Sequence, residues 1–302
     1  WGLVSLAMGA TMVLHRNVDP SALLREIEEH RITHAIYVPA VLAFLQLVPN
    51  AKEHDLSSMQ LIAYGASPIT EDVLRGSMAQ FAGTDFVQVY GLTETTGAVV
   101  ELPPEDHDPV KRPELLRSAG KPYPWIELRV VGEDGEDVAE GDIGEIWMRG
   151  PQIMVGYWNR PEETAAAMSE DGWFRTGDAG YCRDGYLFLH DRMKDMIVSG
   201  GENVYPAEVE SAIMGCLGVA DVAVIGVPDD KWGEAVKAIV VKAPGEKVSP
   251  EEVIAWARER IAGFKVPKSV DFVDELPRNP SGKILKKDLR APFWEGRERQ
   301  IG

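Results

Sequence analysis

The stretch LPRNPSGKILKKDLR, close to the C-terminal end, presents Lys283 directly after Ser281 and Gly282. A Gly-Lys pair on a turn is typical of a phosphate-binding P-loop. The P-loop pattern also requires an earlier Gly and a hydroxyl residue directly after the lysine, and Ile284 stands where that hydroxyl is needed. The lysine therefore needs another explanation. From the residues alone, a solvated lysine in a basic tail is the simplest one.

A second polar turn lies in VYGLTETTG, residues 89–97, where an apolar strand pattern gives way to Thr93 and Glu94. At the carboxyl end of a parallel strand, hydroxyls can hold a phosphate and a carboxylate can hold its Mg²⁺. A solvated turn accounts for the same residues equally well.

The densest group of chemically capable residues lies between residues 171 and 210. Asp178 follows a Thr-Gly turn, where a carboxylate can accept hydrogen bonds from both hydroxyls of a ribose. The forked guanidinium of Arg192 suits phosphate or ribose oxygens. Gly200 and Gly201 permit close approach of the backbone to a narrow ligand. Each residue alone has a purely structural interpretation, but together they favour a nucleotide site.

The elements that must position these residues begin with alternating strands and helices up to about residue 91. Apolar runs predict buried strands at 11–15, 34–39, 61–65 and 86–90, and helical periodicity predicts helices at 20–32 and 70–82, starting at Pro20 and Thr70. This alternation implies a parallel sheet that binds ligands at the carboxyl ends of its strands. A polar loop over 101–115 precedes a small all-β section at 126–138 and 144–150.

A separate α+β unit is predicted from about residue 191. Its pattern gives a strand, a Gly-Gly turn and a helix over 195–214, then strands at 219–228 and 234–242. Ser249 and Pro250 open a helix that extends to residue 264.

Bulk composition limits the classes of function. A chain of 302 residues has room for two domains, and a net charge of −17 argues against a nucleic-acid binder. The two cysteines, Cys182 and Cys216, form no CxxC pair, so a reducing cytoplasm is the default location. The longest uncharged run, residues 1–14, is too short to span a bilayer and lacks the features of a signal peptide. An opening at Trp1 without Met predicts that the chain is part of a longer protein.

The segments YGLTETTG, GWFRTGD, DRMKDMIVSGGENVYPAEVE and PRNPSGKILKKDLR resemble, in order and spacing, the signature motifs of the adenylate-forming superfamily. This superfamily comprises acyl- and aryl-CoA synthetases, peptide-synthetase adenylation domains and firefly luciferase. The resemblance is strongest to acyl-CoA synthetases of the fatty-acyl type. It implies an α/β fold: residues 1–190 form the latter part of a large N-terminal domain, with a parallel sheet, helices and a small β section. Residues 191–302 form a small mobile α+β C-terminal domain.

Family members work in two half-reactions, and the resemblance implies the same here. A carboxylate, here a medium- or long-chain fatty acid, attacks the α-phosphate of ATP bound with Mg²⁺ and gives an acyl-adenylate. The thiol of coenzyme A then displaces AMP. The cofactors implied are ATP, Mg²⁺ and coenzyme A.

The resemblance also assigns a role to individual residues. Lys283 becomes the catalytic lysine, Thr93 and Glu94 join it in catalysis, and Glu94 becomes the Mg²⁺ ligand. Lys194 becomes the hinge about which the C-terminal domain turns between half-reactions. The residues placed at ATP or AMP are Gly65, Ala66, Ser67, Tyr90, Gly91, Thr93, Asp178, Arg192 and Lys283. Those placed at coenzyme A are Gly200, Gly201, Trp232 and Phe264.

Two other functions remain open at this point. The protein can be an adenylating enzyme that loads a carrier protein, or this chain can be an inactive fragment, because the family's Ser/Thr/Gly-rich phosphate loop is absent from it. An aryl acid is the next alternative to a fatty acid, and a homodimer is also open.

Overall fold

The computed structural model describes residues 2–279 and 283–296. The chain forms two compact units. The first comprises Trp1–Gly91 and Gly97–Lys121, and the second comprises Leu92–Thr96 and Pro122–Gly302.

The first unit is built on a sheet with helices, and its strands β1, β2 and β3 are parallel, as the sequence predicts. The sheet has the order β1-β2-β3-β4-β5, and β2 pairs in parallel with both β1 and β3. Its strands are β1 (His34–Tyr37), β2 (Leu61–Gly65), β3 (Asp85–Leu92), β4 (Gly97–Leu102) and β5 (Lys121–Pro122). The helices are α1 (Gly2–Ala7), α2 (Pro20–His30), α3 (Pro39–Gln46) and α4 (Glu71–Gln80).

Local signals explain where the helices of this unit begin. Asp19 caps α2 by accepting hydrogen bonds from the backbone N–H groups of Ser21 and Ala22, and the Thr70 hydroxyl caps α4 by accepting one from the backbone N–H of Val73. Both predicted starts are confirmed. The apolar faces of these helices pack on the sheet in a shared core, which includes Leu24, Ile27, Leu42, Leu45, Ile62, Tyr64, Leu74 and Phe86.

The strand predicted at residues 11–15 is wrong. This segment has no regular secondary structure, and the side chain of Leu14 is 82% exposed. An extended apolar run becomes a strand only where a neighbouring strand accepts its backbone hydrogen bonds. In the described part of the chain, β1 forms the edge of the sheet and residues 11–15 do not pair with it.

The second unit contains an antiparallel sheet with the order β6-β7-β8-β9. Its strands are β6 (Glu127–Val131), β7 (Gly144–Arg149), β8 (Phe174–Arg183) and β9 (Tyr186–Arg192), and helix α5 (Pro161–Ala167) lies between β7 and β8 in the chain. The predicted small β section is thus confirmed. The predicted domain boundary between residues 190 and 191 falls inside β9.

The rest of the second unit is an α+β arrangement around a third sheet. It contains β10 (Ile197–Ser199), β11 (Glu202–Val204), β12 (Val219–Asp229), β13 (Gly233–Lys242) and β14 (Ser269–Val273), with α6 (Pro206–Met214), α7 (Pro250–Arg258) and α8 (Lys286–Trp294). The sheet has the order β11-β10-β13-β12, and β14 pairs with β13 in parallel. Ser249 and Glu252 form a reciprocal capping box that starts α7 at the predicted position.

In the described residues, no helix has both the length and the apolar character needed to cross a membrane.

Candidate functional site

The first unit presents a turn at the carboxyl end of β2. Gly65 is paired with Val89 of β3, and a Cβ on Gly65 would lie 2.1 Å from the Val89 carbonyl oxygen, so only glycine fits. The chain then turns sharply outward: Ala66 has a φ of 68°, and both Ala66 and Ser67 are exposed. These residues occupy the sheet edge where α/β proteins bind ligands.

Tyr90 and Gly91 lie at the corresponding end of β3, one strand away from that turn. Because Gly65 and Val89 are in register, Tyr90 follows at the level where β2 ends. A Cβ on Gly91 would lie 1.9 Å from the carbonyl oxygen of Gly97. The backbones of β3 and β4 are therefore so close at this point that only glycine fits. The sequence-predicted residues of this unit therefore share one edge of the sheet.

A buried hydrogen-bond chain supports that edge, and sequence reasoning missed it. The Tyr64 hydroxyl lies 2.9 Å from His107 Nε2, and His107 Nδ1 lies 2.9 Å from the Pro103 carbonyl oxygen. A carbonyl can only accept, so Nδ1 carries the proton and Nε2 accepts from Tyr64. Burial lowers the pKa of His107, which keeps the ring neutral and fixes this tautomer. No short motif marks the pair, since its members are 43 residues apart.

In the second unit, Thr93 and Glu94 occupy a single 3₁₀ turn, Thr93–Thr95. The backbone N–H of Leu92 donates to the Thr95 hydroxyl over 2.8 Å, which stabilises the turn from inside. Thr93 is exposed and Glu94 is partly buried. Met154 donates its backbone N–H to the Glu94 carbonyl, and the Tyr157 hydroxyl donates to Glu94 Oε1 over 2.8 Å.

The donor set at Glu94 fits a magnesium ion that arrives with a nucleotide. Within residues 2–279 and 283–296, no group of three His, Cys, Asp or Glu side chains could form a metal cage by itself. Mg²⁺ is commonly bound by one or two carboxylates together with substrate phosphates and water. One ordered carboxylate beside an exposed threonine hydroxyl meets that requirement.

Asp178 and Arg192 form an ion pair across neighbouring strands. They face each other in the register of β8 and β9, and Arg192 Nε lies 2.9 Å from Asp178 Oδ1. Gly177 precedes Asp178 with a φ of 68°, and the Thr176 hydroxyl accepts the backbone N–H of Asp178, so the turn itself sets the direction of the carboxylate. Asp178 is 8% exposed.

Lys283 lies on the returning side of a small hairpin. Its backbone N–H donates to Asn279 Oδ1, and its carbonyl oxygen accepts the backbone N–H of Asn279, each over 2.9 Å. The side chain is exposed, and its pKa is lowered first by partial desolvation and then by the nearby Arg192 guanidinium. Asp178 opposes this shift, so Lys283 interacts electrostatically with both members of the Asp178–Arg192 pair. The predicted Ser281–Gly282 turn lies outside the described residues.

The predicted hinge residue, Lys194, is exposed and sits in the 3₁₀ turn Met193–Asp195, directly after β9. Arg290 of α8 contacts this turn twice: it donates to the Lys194 carbonyl over 3.1 Å and forms an ion pair with Asp195 at 3.0 Å. The same helix begins at Lys286, which is paired with Glu210 at 2.8 Å in a buried environment. Helix α8, which follows Lys283, is thereby held to the turn that contains Lys194.

The residues predicted to contact coenzyme A are only partly brought together. Gly200 donates its backbone N–H to the Trp232 carbonyl over 2.8 Å, and a Cβ on Gly200 would lie 2.6 Å from the Trp232 ring. Gly201 follows with a positive φ, and the Trp232 side chain is 40% exposed. Phe264, also 40% exposed, lies instead in the segment after α7 beside Lys265, which is paired with Glu208 at 2.6 Å.

The first unit thus has exposed residues at the carboxyl end of β2, and the second unit has an acid–arginine pair and an exposed lysine that interacts with it electrostatically. The chain belongs to the AMP-binding enzyme family: the family model matches residues 1–158, and the model of the AMP-binding enzyme C-terminal domain matches residues 208–283.

Curated relatives and solved structures agree with this assignment. The chain is 44% identical to a feruloyl-CoA synthase of Amycolatopsis sp over 292 residues, which cover 96% of the chain and 58% of that protein. It is 41% identical to the fatty acid–[acyl-carrier-protein] ligase ScoC of Streptomyces coeruleorubidus over 302 residues, or 57% of that protein. Its fold matches o-succinylbenzoate coenzyme A synthetase of Bacillus subtilis in complex with ATP and magnesium ion, with a TM-score of 0.83 and 35% identity over 95% of this chain and 57% of the other. The chain therefore spans less than three fifths of these relatives.

Proposed function

We propose that the protein containing this chain is an AMP-forming acid–thiol ligase. It activates a carboxylic acid with ATP as an acyl-adenylate and transfers the acyl group to coenzyme A. The observation that most supports this proposal is the electrostatic interaction of Lys283 with the Asp178–Arg192 pair, because a cation and two groups suited to a ribose and a phosphate then influence one another.

In the nucleotide site that we propose, Asp178 accepts hydrogen bonds from the ribose hydroxyls. The Arg192 guanidinium both orients that carboxylate and faces the phosphate side. For the first unit by itself, we propose that the exposed residues Ala66 and Ser67, with Tyr90 and Gly91, contact adenine and the acyl group. Thr93 donates its hydroxyl to a phosphate oxygen, and Glu94 supplies a carboxylate oxygen to magnesium, which neutralises phosphate charge when it is bound.

Lys283 acts where the acid meets the α-phosphorus of ATP. As the carboxylate oxygen attacks, negative charge concentrates between two anionic groups, and pyrophosphate leaves with the electron pair of the broken P–O bond. An ammonium group placed there stabilises the crowded transition state more than the separated reactants. In the acyl-adenylate that forms, the leaving group on the acyl carbon is AMP. A thiol displaces AMP far more readily than it displaces the oxygen of a free carboxylate.

The second half-reaction requires a different arrangement of the C-terminal region. We propose that the part of the C-terminal domain that follows Lys194 turns about this residue, which removes Lys283 from the reaction centre and brings the Gly200–Gly201 turn to the pantetheine arm. Trp232, which packs on Gly200, and Phe264 then contribute exposed aromatic surface to coenzyme A.

For the acid we propose a medium- or long-chain fatty acid, with an aryl acid as the alternative. The two relatives described above are named for one acid of each kind. We also propose a cytoplasmic location, because both cysteines are free.

The experiment that tests this function is acid-dependent exchange of pyrophosphate into ATP by the full gene product. A panel of fatty and aryl acids identifies the substrate, and we expect exchange only with the matching acid class. Absence of exchange with every acid would contradict the proposal. The 302-residue chain tested in parallel addresses the inactive-fragment alternative, and we expect it to show little exchange.

A carrier protein is the second candidate acceptor, because ScoC, a relative over the whole chain, is named as a fatty acid–[acyl-carrier-protein] ligase. Supplying the enzyme and its acyl-adenylate with either coenzyme A or a phosphopantetheinyl carrier separates the two. We expect faster transfer to coenzyme A, and a carrier preference would reassign the acceptor.

A further inference from the structure

A short segment of the second unit holds the Glu94 turn from one side. This strap, residues 152–157, lies between β7 and α5 and reaches the turn more than fifty positions earlier in the chain. Gln152 donates its side-chain amide to the Thr95 carbonyl over 2.9 Å, and the Thr96 hydroxyl donates to the Gln152 carbonyl over 2.8 Å. Both ends of the strap thus contribute to holding the turn, since Met154 and Tyr157 contact Glu94 itself.

Within the strap, Tyr157 contacts the side-chain carboxylate of Glu94. Its hydroxyl donates to Oε1 over 2.8 Å. The tyrosine is itself held in place, because its backbone N–H donates to the Thr164 hydroxyl over 2.9 Å and that hydroxyl donates in turn to the Arg160 carbonyl.

Gly156 makes the strap conformation specific. Its φ is 148°, and a Cβ there would lie 2.8 Å from Thr164 Cγ2. A side chain at this position would push the strap away from the threonine that fixes Tyr157. The strap is therefore built to place one phenol hydroxyl at one oxygen of Glu94.

We propose that Tyr157 is a positioning residue that orients the Glu94 carboxylate for magnesium. The inference rests on the proposed function, since it assigns Glu94 to the metal. With Oε1 engaged by the phenol, the carboxylate is restricted to one rotamer and directs its remaining lone pairs to the ion. A Mg²⁺ ion demands near-ideal octahedral geometry, so a ligand fixed in advance strengthens binding of the ion more than a freely rotating one.

The test measures ATP binding rather than turnover. Calorimetry on the full gene product gives the dissociation constant of ATP with excess Mg²⁺ and with a chelator, and their ratio reports how far the metal tightens binding. We expect Tyr157→Phe to lower that ratio about tenfold or more, as loss of a hydrogen bond to a charged group predicts. Affinity in chelator should stay unchanged, because the metal-free nucleotide does not use Glu94.

A double-mutant cycle separates positioning from a general structural role. In a Glu94→Gln background, Tyr157→Phe should cause no further fall in the ratio, because the group through which it acts is already altered. Tyr181→Phe is the matched control: it makes the same chemical change on β8, where the ring stacks on Phe188 at 4.9 Å, and should leave the ratio at the wild-type value.

The possible results are distinguishable. If Tyr157→Phe keeps the wild-type ratio, or lowers it equally in the Glu94→Gln background, the positioning role is overturned while the proposed function stands. If the wild-type protein binds no ATP and shows no acid-dependent exchange, the proposed function fails and the positioning role fails with it.

Discussion

Asp178 and Arg192 face each other across β8 and β9, with Arg192 Nε 2.9 Å from Asp178 Oδ1. In the site that we propose, this pair on two adjacent strands supplies an acceptor for ribose hydroxyls and a donor for phosphate oxygens. Because each side chain holds the other, the acceptor is oriented before any ligand arrives, and less conformational entropy is lost on binding.

Replacing Asp178 by Asn should weaken ATP binding by about tenfold or more, because the acceptors of two ribose hydroxyls lose their charge. The dissociation constant of ATP, measured by calorimetry on the full gene product, tests this. Asp184→Asn is the matched control: it lies on the turn that joins the same strands, and asparagine tolerates its φ of 52°. Equal affinity for wild type and Asp178→Asn would remove Asp178 from the nucleotide site.

Lys283→Ala should slow acyl-adenylate formation by orders of magnitude while largely sparing thioester formation from supplied acyl-adenylate. The reason is that the ammonium stabilises charge only in the first half-reaction. Pyrophosphate exchange and single-turnover thioesterification measure the two steps separately. Lys287→Ala removes an exposed lysine from the same tail and should change neither. Equal losses in both half-reactions would contradict the role given to Lys283.

The pH dependence of adenylation should show an alkaline limb that belongs to Lys283. Partial desolvation and Arg192 lower the pKa of this lysine below its ordinary value of 10.5. Since the ammonium is the active form, the rate is fully present below the lowered pKa and is lost as pH rises through it. A pH profile of kcat/KM for exchange, which reports the free enzyme, should therefore bend downward below pH 10.5. An Asp178→Asn variant, which removes a charge that opposes the shift, should move the bend to still lower pH. If the bend stays at the same pH in the Asp178→Asn variant, a group other than Lys283 is responsible for it.

Lys194→Pro should spare adenylation and impair thioester formation, because it fixes a backbone angle in the turn that we propose as the hinge. Lys194→Ala removes the side chain but keeps the backbone free, and both half-reactions should remain near wild type. The two rates, measured separately, give the answer. A proline variant that retains full thioesterification would place the hinge elsewhere.

The buried His107 should make the first unit sensitive to acid. Its pKa is lowered by burial, so the unfolded chain accepts a proton near its ordinary pKa of about 6.5 that the folded chain resists. The free energy of unfolding should consequently fall between pH 7 and pH 5, and return on raising the pH. Denaturant unfolding at both values measures this.

His107→Gln should remove that part of the pH dependence, because glutamine does not titrate. His15→Gln, at an exposed histidine, is the control and should keep the wild-type slope. Identical slopes for the wild-type protein and His107→Gln would show that the buried ring does not titrate in this range.

Much of the fold follows from local patterns in the sequence. Pro20, Thr70 and the Ser249–Pro250 pair each sit where a helix begins, because capping depends on residues a few positions apart. The strands that follow or precede these helices were predictable from apolar runs for the same reason. The strand predicted at residues 11–15 does not form, which shows how far local patterns can predict strands. An apolar run indicates a preference for burial, but pairing with another strand decides whether it becomes a strand.

The candidate site was predictable to a different degree. Single residues such as Asp178, Arg192 and Lys283 could be chosen from their motifs, because their chemistry is local. Contacts between distant residues could not. Tyr157 and Glu94 are 63 positions apart, and Arg290 lies 96 positions from the Lys194 carbonyl that it contacts. Tyrosine and arginine are common, so neither position signals its partner until the chain is folded.

The hairpin around Lys283 fixes the main chain of that residue at both its N–H and its carbonyl, each through Asn279. Only the four-carbon side chain of Lys283 can then change conformation. The ammonium group therefore moves within a short radius of a backbone position that Asn279 holds. An Asn279→Ala replacement would remove the hydrogen bond to the Lys283 backbone N–H and leave the charge of the lysine unchanged. The side-chain amide of Asn279 therefore affects where the ammonium group lies, but not the size of its charge.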